Sequence, residues 1–370
     1  MMHIKLMRGK VTMTDIKKDI ITQFNILAEV SPYGDGHIND TYVTNTSSPK
    51  FILQRINHVV FKNPEQVMEN IVNVTEFLKK KIAENGGNPK RETLSVIYTK
   101  DKKSFVKTKQ GNYFRMYEFI EGARTYQTVQ EPIHFYNAAK AFGKFQNMLD
   151  DYPANTLFET IPDFHNTKKR FENFLKAVEA DKFDRKKDVL KEIDFVLSRE
   201  SMTALIVDAI EDGRIPLRVT HNDTKYNNLM IDDKTGEAIC VIDLDTVMPG
   251  SLLYDYGDSL RFGTNPVEED EKNLDLVYCD MNLFEMFTKG FLEEVGDKMT
   301  KTEIDYLPLS ARMMTFECGM RFLTDYLEGD TYFRTHYPTQ NLDRCRTQFK
   351  LVWDMEQKEE EMKKIIRKYI

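Results

Sequence analysis

The chain has 370 residues, of which 41% are hydrophobic and 30% charged, and its formal net charge is −7. This composition is typical of a folded globular protein and excludes a disordered chain. The negative charge argues against a nucleic-acid partner, and no stretch approaches the ~18 apolar residues of a membrane span. The amino-terminal segment has no signal-peptide core, and the four cysteines form no C-x-x-C pair. We therefore expect a cytoplasmic protein that is a monomer or a weak homo-oligomer.

The first third of the chain is rich in strand signals. Short β-prone runs bounded by turn residues predict strands near residues 24–30, 41–44, 51–56, 94–99, 104–107 and 113–120. Asn63 as N-cap and Pro64 at the first helical position predict a single helix, which the run Asn85-Gly86-Gly87 ends. A polar break at residues 121–124 is a plausible hinge.

The turn before the second predicted strand contains Gly34, Gly36 and His37. Because glycine allows positive φ and close approach, the backbone N–H groups of such a turn can bind phosphates. Two glycines are also common in an ordinary hairpin, and taken alone they favour that simpler interpretation.

Beyond residue 121 the chain is predicted to be mainly helical, apart from a hairpin at residues 219–245. Helical patterns cover residues 131–149, 167–180, 184–210, 271–295, 302–328 and 341–369. The predicted fold is therefore α+β and bilobal. A small antiparallel β-sheet lobe takes residues 1–121, and a larger, mainly helical lobe takes residues 122–370.

The hairpin segment carries the most informative polar residues. His221, Asp223, Lys225 and Asn228 precede its first strand, and Asp243 follows its second. A hairpin folds the chain back on itself, so Asp223 and Asn228 should lie near Asp243. Two carboxylates and an amide at one place are costly unless a divalent cation lies between them.

Protein kinases use the same spacing of a base Asp, an Asn and a second Asp. In that arrangement Asp223 accepts the proton of the attacking hydroxyl, and Asn228 and Asp243 bind Mg²⁺. Lys225 would steady the γ-phosphate of ATP, and His221 would brace the loop backbone. The alternative is a solvated hairpin with scattered acids, which the full set on a strand–turn–strand frame disfavours.

The segments HNDTKYNN, VIDLDTVMPG and YDYGDSLRFG resemble the aminoglycoside-phosphotransferase and choline-kinase superfamily of small-molecule kinases. The segments GDGHINDTYV, FILQRIN, YEFIEGART and MRFLTDYLEGDTYF are similar, in the same order, to its N-acetylhexosamine 1-kinase branch. The resemblance covers nearly the whole chain and implies a protein-kinase-like fold, with a nucleotide-binding first lobe and a catalytic, substrate-binding second lobe.

The resemblance also implies roles for individual residues. Asp223 matches the catalytic base, Asn228 and Asp243 match the metal ligands, and Asp245 is a candidate for a second ion. The residues that match the sugar pocket, together with the base, are His37, Asp223, Phe262, Arg321 and Tyr332. Their types suit a hexosamine, because an aromatic face packs on sugar C–H groups while Arg and His donate hydrogen bonds to oxygen atoms.

One departure concerns the lysine that protein kinases carry on the third strand, because FILQRIN contains none. Arg55 or Gln54 must contact the phosphates instead, and we favour Arg55 for its fixed charge. Its acidic partner on the helix would be Glu65 or Glu69, between which the helical period does not choose. The nucleotide base is expected beside Tyr117, Glu118 and Phe119.

The reaction implied is transfer of phosphate from Mg²⁺-bound ATP to the anomeric hydroxyl of N-acetylglucosamine or N-acetylgalactosamine. One alternative is a related kinase for another sugar, choline, an amino alcohol or an aminoglycoside. Cationic acceptors need acids or an aromatic cage, whereas the candidate pocket has an Arg and a His. A second alternative is a catalytically silent nucleotide-binding regulator, supported only by the missing strand lysine.

Overall fold

The computed structural model describes residues 18–34, 38–129 and 131–370. The strands are β1 (Val30–Pro32), β2 (Asp40–Thr44), β3 (Phe51–Ile56), β4 (Val106–Lys107), β5 (Tyr113–Glu118), β6 (Ala123–Arg124), β7 (Arg218–Thr220), β8 (Leu229–Asp232), β9 (Ala238–Val241) and β10 (Met248–Gly250). The α-helices are α1 (Lys18–Ile21), α2 (Pro64–Glu84), α3 (Pro89–Glu92), α4 (Pro132–Met148), α5 (Thr167–Ala180), α6 (Leu190–Leu197), α7 (Leu205–Glu211), α8 (Leu252–Gly263), α9 (Met281–Val295), α10 (Lys301–Leu327), α11 (Gln340–Gln357) and α12 (Glu359–Lys368).

Strands β1 to β5 form one antiparallel sheet in the order β1-β2-β3-β5-β4. In the register of β3 with β5, Gln54 lies opposite Arg115 and Leu53 opposite Met116. Side chains alternate between the faces of a strand, so Leu53 and Met116 pack with α1 on one face. Gln54 and Arg115 lie on the other face, which is turned toward the helical lobe.

Helix α2 confirms the sequence prediction at both ends. Pro64 is its first residue, and Asn85 follows its last. Its apolar stripe, which includes Val67 and Ile71, is buried against the main core. A buried side chain on this helix, Asn70, donates hydrogen bonds to Phe158 O at 2.8 Å and Val247 O at 3.0 Å. The helix is thereby fixed to the loop that follows β9.

The predicted strand at residues 24–30 is wrong. Asn25 has φ 61°, in the left-handed region, and Leu27 is 83% exposed. A left-handed residue interrupts an extended run, so β1 begins only at Val30.

The predicted hairpin at 219–245 is confirmed as β8 and β9, which pair antiparallel with Met230 opposite Cys240. β6 adds to its edge, and β7 pairs separately with β10.

Around these strands the chain is helical, with α8 and α10 in close contact at the centre. The α+β, bilobal fold is confirmed, while the boundary at residue 121 stays a prediction. None of the described helices has the length and apolar content needed to cross a bilayer.

Candidate active site

The loop between β7 and β8 places three of the predicted residues together. Lys225 Nζ lies 2.8 Å from Asp223 Oδ1. Asn228 Nδ2 donates to Asp223 O at 2.8 Å and to Asp223 Oδ2 at 3.2 Å. Burial alone would raise the pKa of Asp223, but the charge of Lys225 and its hydrogen bond outweigh burial and lower it. Asp223 is therefore an ionised acceptor held in one orientation.

His221 joins this loop to the end of β9. Its Nδ1 accepts from the backbone N–H of Asp223 at 3.2 Å, and its Nε2 lies 2.8 Å from Ile242 O. These partners define a neutral ring with its proton on Nε2, as inferred from the hydrogen-bond network. The ring has no exposed surface and braces the backbone, as the sequence suggested.

Sequence reasoning missed the main support of the loop, which is Asp255 in the first turn of α8. Its buried carboxylate accepts the backbone N–H of His221 at 2.9 Å and of Asn222 at 2.7 Å. Gln146 of α4 donates a further hydrogen bond to it. Asn222 has φ 65°, so the carboxylate holds a strained backbone that orients the next residue, Asp223. In the sequence, the two acids of the segment YDYGDS, Asp255 and Asp258, could have indicated this support.

Asp243 follows β9 and has φ 60°, in the left-handed region. It is exposed to the cleft. Although its surface is accessible, the surrounding protein displaces water, and this desolvation together with the carboxylates of Asp245 and Asp223 raises the pKa of Asp243 to about 6. Converging carboxylates beside the Asn228 amide are the hard oxygen ligands that a divalent cation requires. No group of three or more His, Cys, Asp or Glu side chains in the described ranges forms a metal site alone, so water or phosphate oxygens would complete one.

Asp245 does not fit the expected role as an ion ligand. Its side chain is 3% exposed, and its Oδ1 pairs with the guanidinium of Arg115. Its Oδ2 accepts from Asn39 Nδ2 at 2.6 Å. Because both oxygens are already engaged by protein donors, only Asn228 and Asp243 remain as proposed ligands.

Arg55 does not fit the expected role as phosphate contact either. It pairs with Asp40 across β2 and β3 at 2.5 Å, on the face of the sheet opposite to Gln54. Its expected acidic partner Glu65 instead lies 3.5 Å from Lys107, and Glu69 is exposed. The physical reason is strand alternation, which turns adjacent side chains to opposite faces.

The glycine turn approaches the hinge through Tyr33, whose ring meets the ring of Phe119 edge-on at 5.8 Å. Gly34 has φ +68° and open space around it, whereas Gly36 and His37 lie outside the described residues. The N–H groups of Glu118 and Phe119 already donate to Ser95 O and Lys50 O. A nucleotide base at the predicted position beside the buried ring of Tyr117 would therefore need other backbone groups as hydrogen-bond partners.

A second group of side chains surrounds Arg321 on α10. Its guanidinium lies 5.4 Å from the ring of Phe164, 5.9 Å from that of Tyr332 and 5.5 Å from that of Phe333. Asp325 accepts the backbone N–H groups of residues 331 to 333 and so shapes the loop that carries Tyr332. The structure thus brings the predicted Arg321 and Tyr332 together.

This Arg321 group, defined by Arg321, Phe164, Tyr332 and Phe333, adjoins the loop between β7 and β8 that carries Asp223, here called the base loop. His165, next to Phe164, lies 3.1 Å from Asn222 O and 2.8 Å from Glu317. Phe164 was not found from sequence, since an isolated Phe in a loop carries no pattern. The predicted Phe262 lies on α8, partly buried against the main core.

A small antiparallel sheet packs on a helical lobe, and two loops face the cleft between them. One is the base loop, and the other is the segment of residues 242–247 between β9 and β10, here called the acid loop, which carries Asp243 and Asp245. This arrangement defines a kinase-like phosphotransferase for small molecules. The family model described as "Phosphotransferase enzyme family" matches residues 29–286. The chain belongs to that family, which confirms the superfamily part of the resemblance.

Solved structures share the fold at low sequence identity. An aminoglycoside phosphotransferase from Alicyclobacillus acidocaldarius matches with TM-score 0.61 and 12% identity over 95% of each chain. A microcompartment-associated aminopropanol kinase matches with TM-score 0.57 and 12% identity over 92% of this chain and 96% of that chain. An ethanolamine kinase from Plasmodium vivax matches with TM-score 0.54 and 16% identity over 86% and 82%.

Proposed function

We propose that this phosphotransferase is an ATP-dependent kinase that phosphorylates the anomeric hydroxyl of N-acetylglucosamine or N-acetylgalactosamine. The resemblance of the segments around His37, Phe262, Arg321 and Tyr332 to the hexosamine branch supports this acceptor. ATP as donor is supported by the family and by the kinase-like cleft. An amicoumacin kinase of the same fold, with TM-score 0.53, was solved with AMP-PNP and Ca²⁺.

The observation that carries the acceptor proposal is the charge of the Arg321 group. Within the described part of the chain, Arg321 has three aromatic neighbours and no carboxylate within salt-bridge distance. Burial and the charge of Arg321 lower the pKa of Arg170, while the Glu317 carboxylate raises it and offsets part of the positive charge. The two guanidinium groups against one carboxylate disfavour a cationic acceptor, whereas an uncharged sugar offers C–H faces to the rings and oxygen atoms to the guanidinium groups.

The chain's own residues account for the proton transfer. Asp223 is oriented by Lys225 and Asn228, and it accepts the proton of the anomeric hydroxyl. The anomeric oxygen bonds to the γ-phosphorus of ATP while the bond from that phosphorus to the β,γ-bridging oxygen breaks and ADP leaves. Asp255 and His221 accept the backbone N–H groups of Asn222 and Asp223, which fixes the position of the base relative to the acceptor. Lys225, paired with Asp223, brings a positive charge near the transferred group.

Asn228 and Asp243 would hold Mg²⁺, which when bound neutralises charge on the phosphates of ATP. Their donor types and the raised pKa of Asp243 fit such an ion. The ion and the nucleotide would lie between these two residues and the sheet lobe.

The test of the acceptor is a panel assayed for ADP release with Mg-ATP. N-acetylglucosamine, N-acetylgalactosamine, glucose, choline, ethanolamine and kanamycin should be compared by kcat/KM. The two N-acetylhexosamines should exceed every cationic acceptor by at least about 100-fold. Arg321→Met should reduce this preference, while the same change at the exposed Arg334 should not. A higher kcat/KM for a cationic acceptor would refute the assignment.

A further inference from the structure

The missing strand lysine raises the question of which cation faces the phosphates. Gln54 occupies the position on β3 that faces the helical lobe, and it carries no charge. Directly opposite, Arg115 on β5 donates from Nε to Gln54 Oε1 at 3.0 Å. Arg115 therefore occupies the same face of the sheet as Gln54, one strand further across.

Arg115 is held deep in the cleft by groups from both lobes. Its guanidinium is 1% exposed and pairs with Asp245, which is 3% exposed. The ring of Tyr117 lies 5.3 Å from the guanidinium. Asp245 also accepts from Asn39, which lies between the glycine turn and β2. One buried ion pair thus connects the sheet, the glycine turn and the loop that carries Asp243.

Helix α2 offers no acid to pair with a strand cation. Glu65 is on the surface with Lys107, and Glu69 is exposed. The buried polar side chains of this helix are Asn70, which binds the backbone of Val247, and Thr75, which donates to Ile71 O. The carboxylate partner comes from the acid loop because every glutamate of the helix is exposed.

We propose that Arg115 and Asp245 replace the strand-lysine and helix-acid pair, with Arg115 as the buried cation that neutralises Asp245 beside the nucleotide phosphate site. This inference rests on the proposed nucleotide donor but not on the identity of the acceptor. Arg115 offsets the charge of Asp245 beside Asp243, where the phosphates of the nucleotide must approach. Without it, a buried carboxylate is left uncompensated and repels them.

The test is binding of Mg-ADP and of adenosine, by calorimetry without any acceptor. Arg115→Met should weaken Mg-ADP binding by at least about tenfold, because the unpaired Asp245 carboxylate repels the phosphates, and it should leave adenosine binding within about threefold. Arg55→Met, the same change on the opposite face of the sheet, should leave both affinities unchanged.

Two double variants separate this role from a purely structural one. Arg115→Met with Asp245→Asn removes both charges, and Arg115→Met with Gln54→Lys returns a cation to β3. Each should recover much of the Mg-ADP affinity lost in Arg115→Met. The same measurements on the double variants apply if Arg115→Met alone does not fold.

Equal loss of adenosine and Mg-ADP binding, or no recovery in either double variant, would overturn the proposal. Failure of the sugar assay with normal Mg-ADP binding would refute only the acceptor.

Discussion

Asp223 is the residue on which the proposed chemistry depends most. Asp223→Asn keeps the size of the side chain and its contact with Asn228 but removes the proton acceptor. We expect kcat to fall by roughly 10²–10⁴-fold, the usual contribution of a positioned base, with Mg-ADP affinity nearly unchanged. Steady-state kinetics and calorimetry would check this, with Asp212→Asn on the surface as the control. A variant with near-normal kcat would show that another group accepts the proton.

Glu317 gives a prediction for pH. Burial would raise its pKa, but the charge and hydrogen bond of His165, with Arg170 and Arg321 nearby, outweigh burial and lower it. Folding therefore favours the ionised carboxylate of Glu317. The stability that this carboxylate contributes is fully present above the unfolded pKa of about 4.3, and it is lost as the pH falls through the lower pKa of the folded protein.

Glu317→Gln should accordingly cost about 1–3 kcal/mol of unfolding free energy near pH 7, and less below about pH 4. Urea unfolding across this pH range would measure the cost, with the exposed Glu179→Gln as the matched control. A cost that does not change with pH would contradict the ionised assignment.

Among the elements, α8 had the weakest sequence signal and the largest role in positioning the base. Nearly all of its side chains are buried, including the polar Asp255, Asp258 and Arg261, so no exposed polar face marks it as a surface helix. Its cap is clear only in the structure, where Ser251 Oγ accepts the N–H of Leu253 at 3.2 Å. The hairpin and α2 were predictable because a turn, caps and a one-sided apolar stripe mark them locally.

The contact between α8 and α10 requires glycine at residue 257. A Cβ there would lie 2.5 Å from Ser310 O and 2.6 Å from Met314 Cγ. Gly257→Ala should therefore destabilise the protein by about 1–3 kcal/mol through overpacking, and it should lower kcat because α8 carries Asp255.

Gly296→Ala is the matched control for this prediction. Gly296 has helical backbone angles, and a Cβ at this residue would lie 3.8 Å from its nearest neighbour, Leu292 Cβ, which is an ordinary van der Waals contact. Thermal and urea unfolding of both variants would compare them. Equal stability of the two would show that α8 and α10 are not packed this closely.

At the scale of the whole molecule, residue spacing predicted the bilobal α+β fold and the meeting of Asp223 and Asn228. It did not predict which cation faces the acid loop, because the pairing of Arg115 with Asp245 depends on strand register and joins residues that are distant in sequence. Arg55 was favoured on charge alone, and side-chain alternation places it on the other face of the sheet.

Ligand linkage gives a prediction for the molecule as a whole. AMP-PNP with Mg²⁺ should stabilise the protein by about 2.7 kcal/mol at a hundred times its Kd, since the proposed nucleotide site lies between elements of both lobes. Thermal unfolding with Mg²⁺ or with EDTA would measure this. Most of the gain should disappear in EDTA and in Asp243→Ala. An equal gain with and without Mg²⁺ would contradict the proposed ligand pair.

The most direct test of the proposed function is ³¹P NMR of the product formed from N-acetylglucosamine and Mg-ATP. A sugar 1-phosphate gives a phosphorus signal coupled to the anomeric proton, and we predict that signal together with stoichiometric ADP. A signal coupled to the C6 methylene protons, or no phosphorylated sugar under conditions in which Mg-ADP binds, would contradict the account.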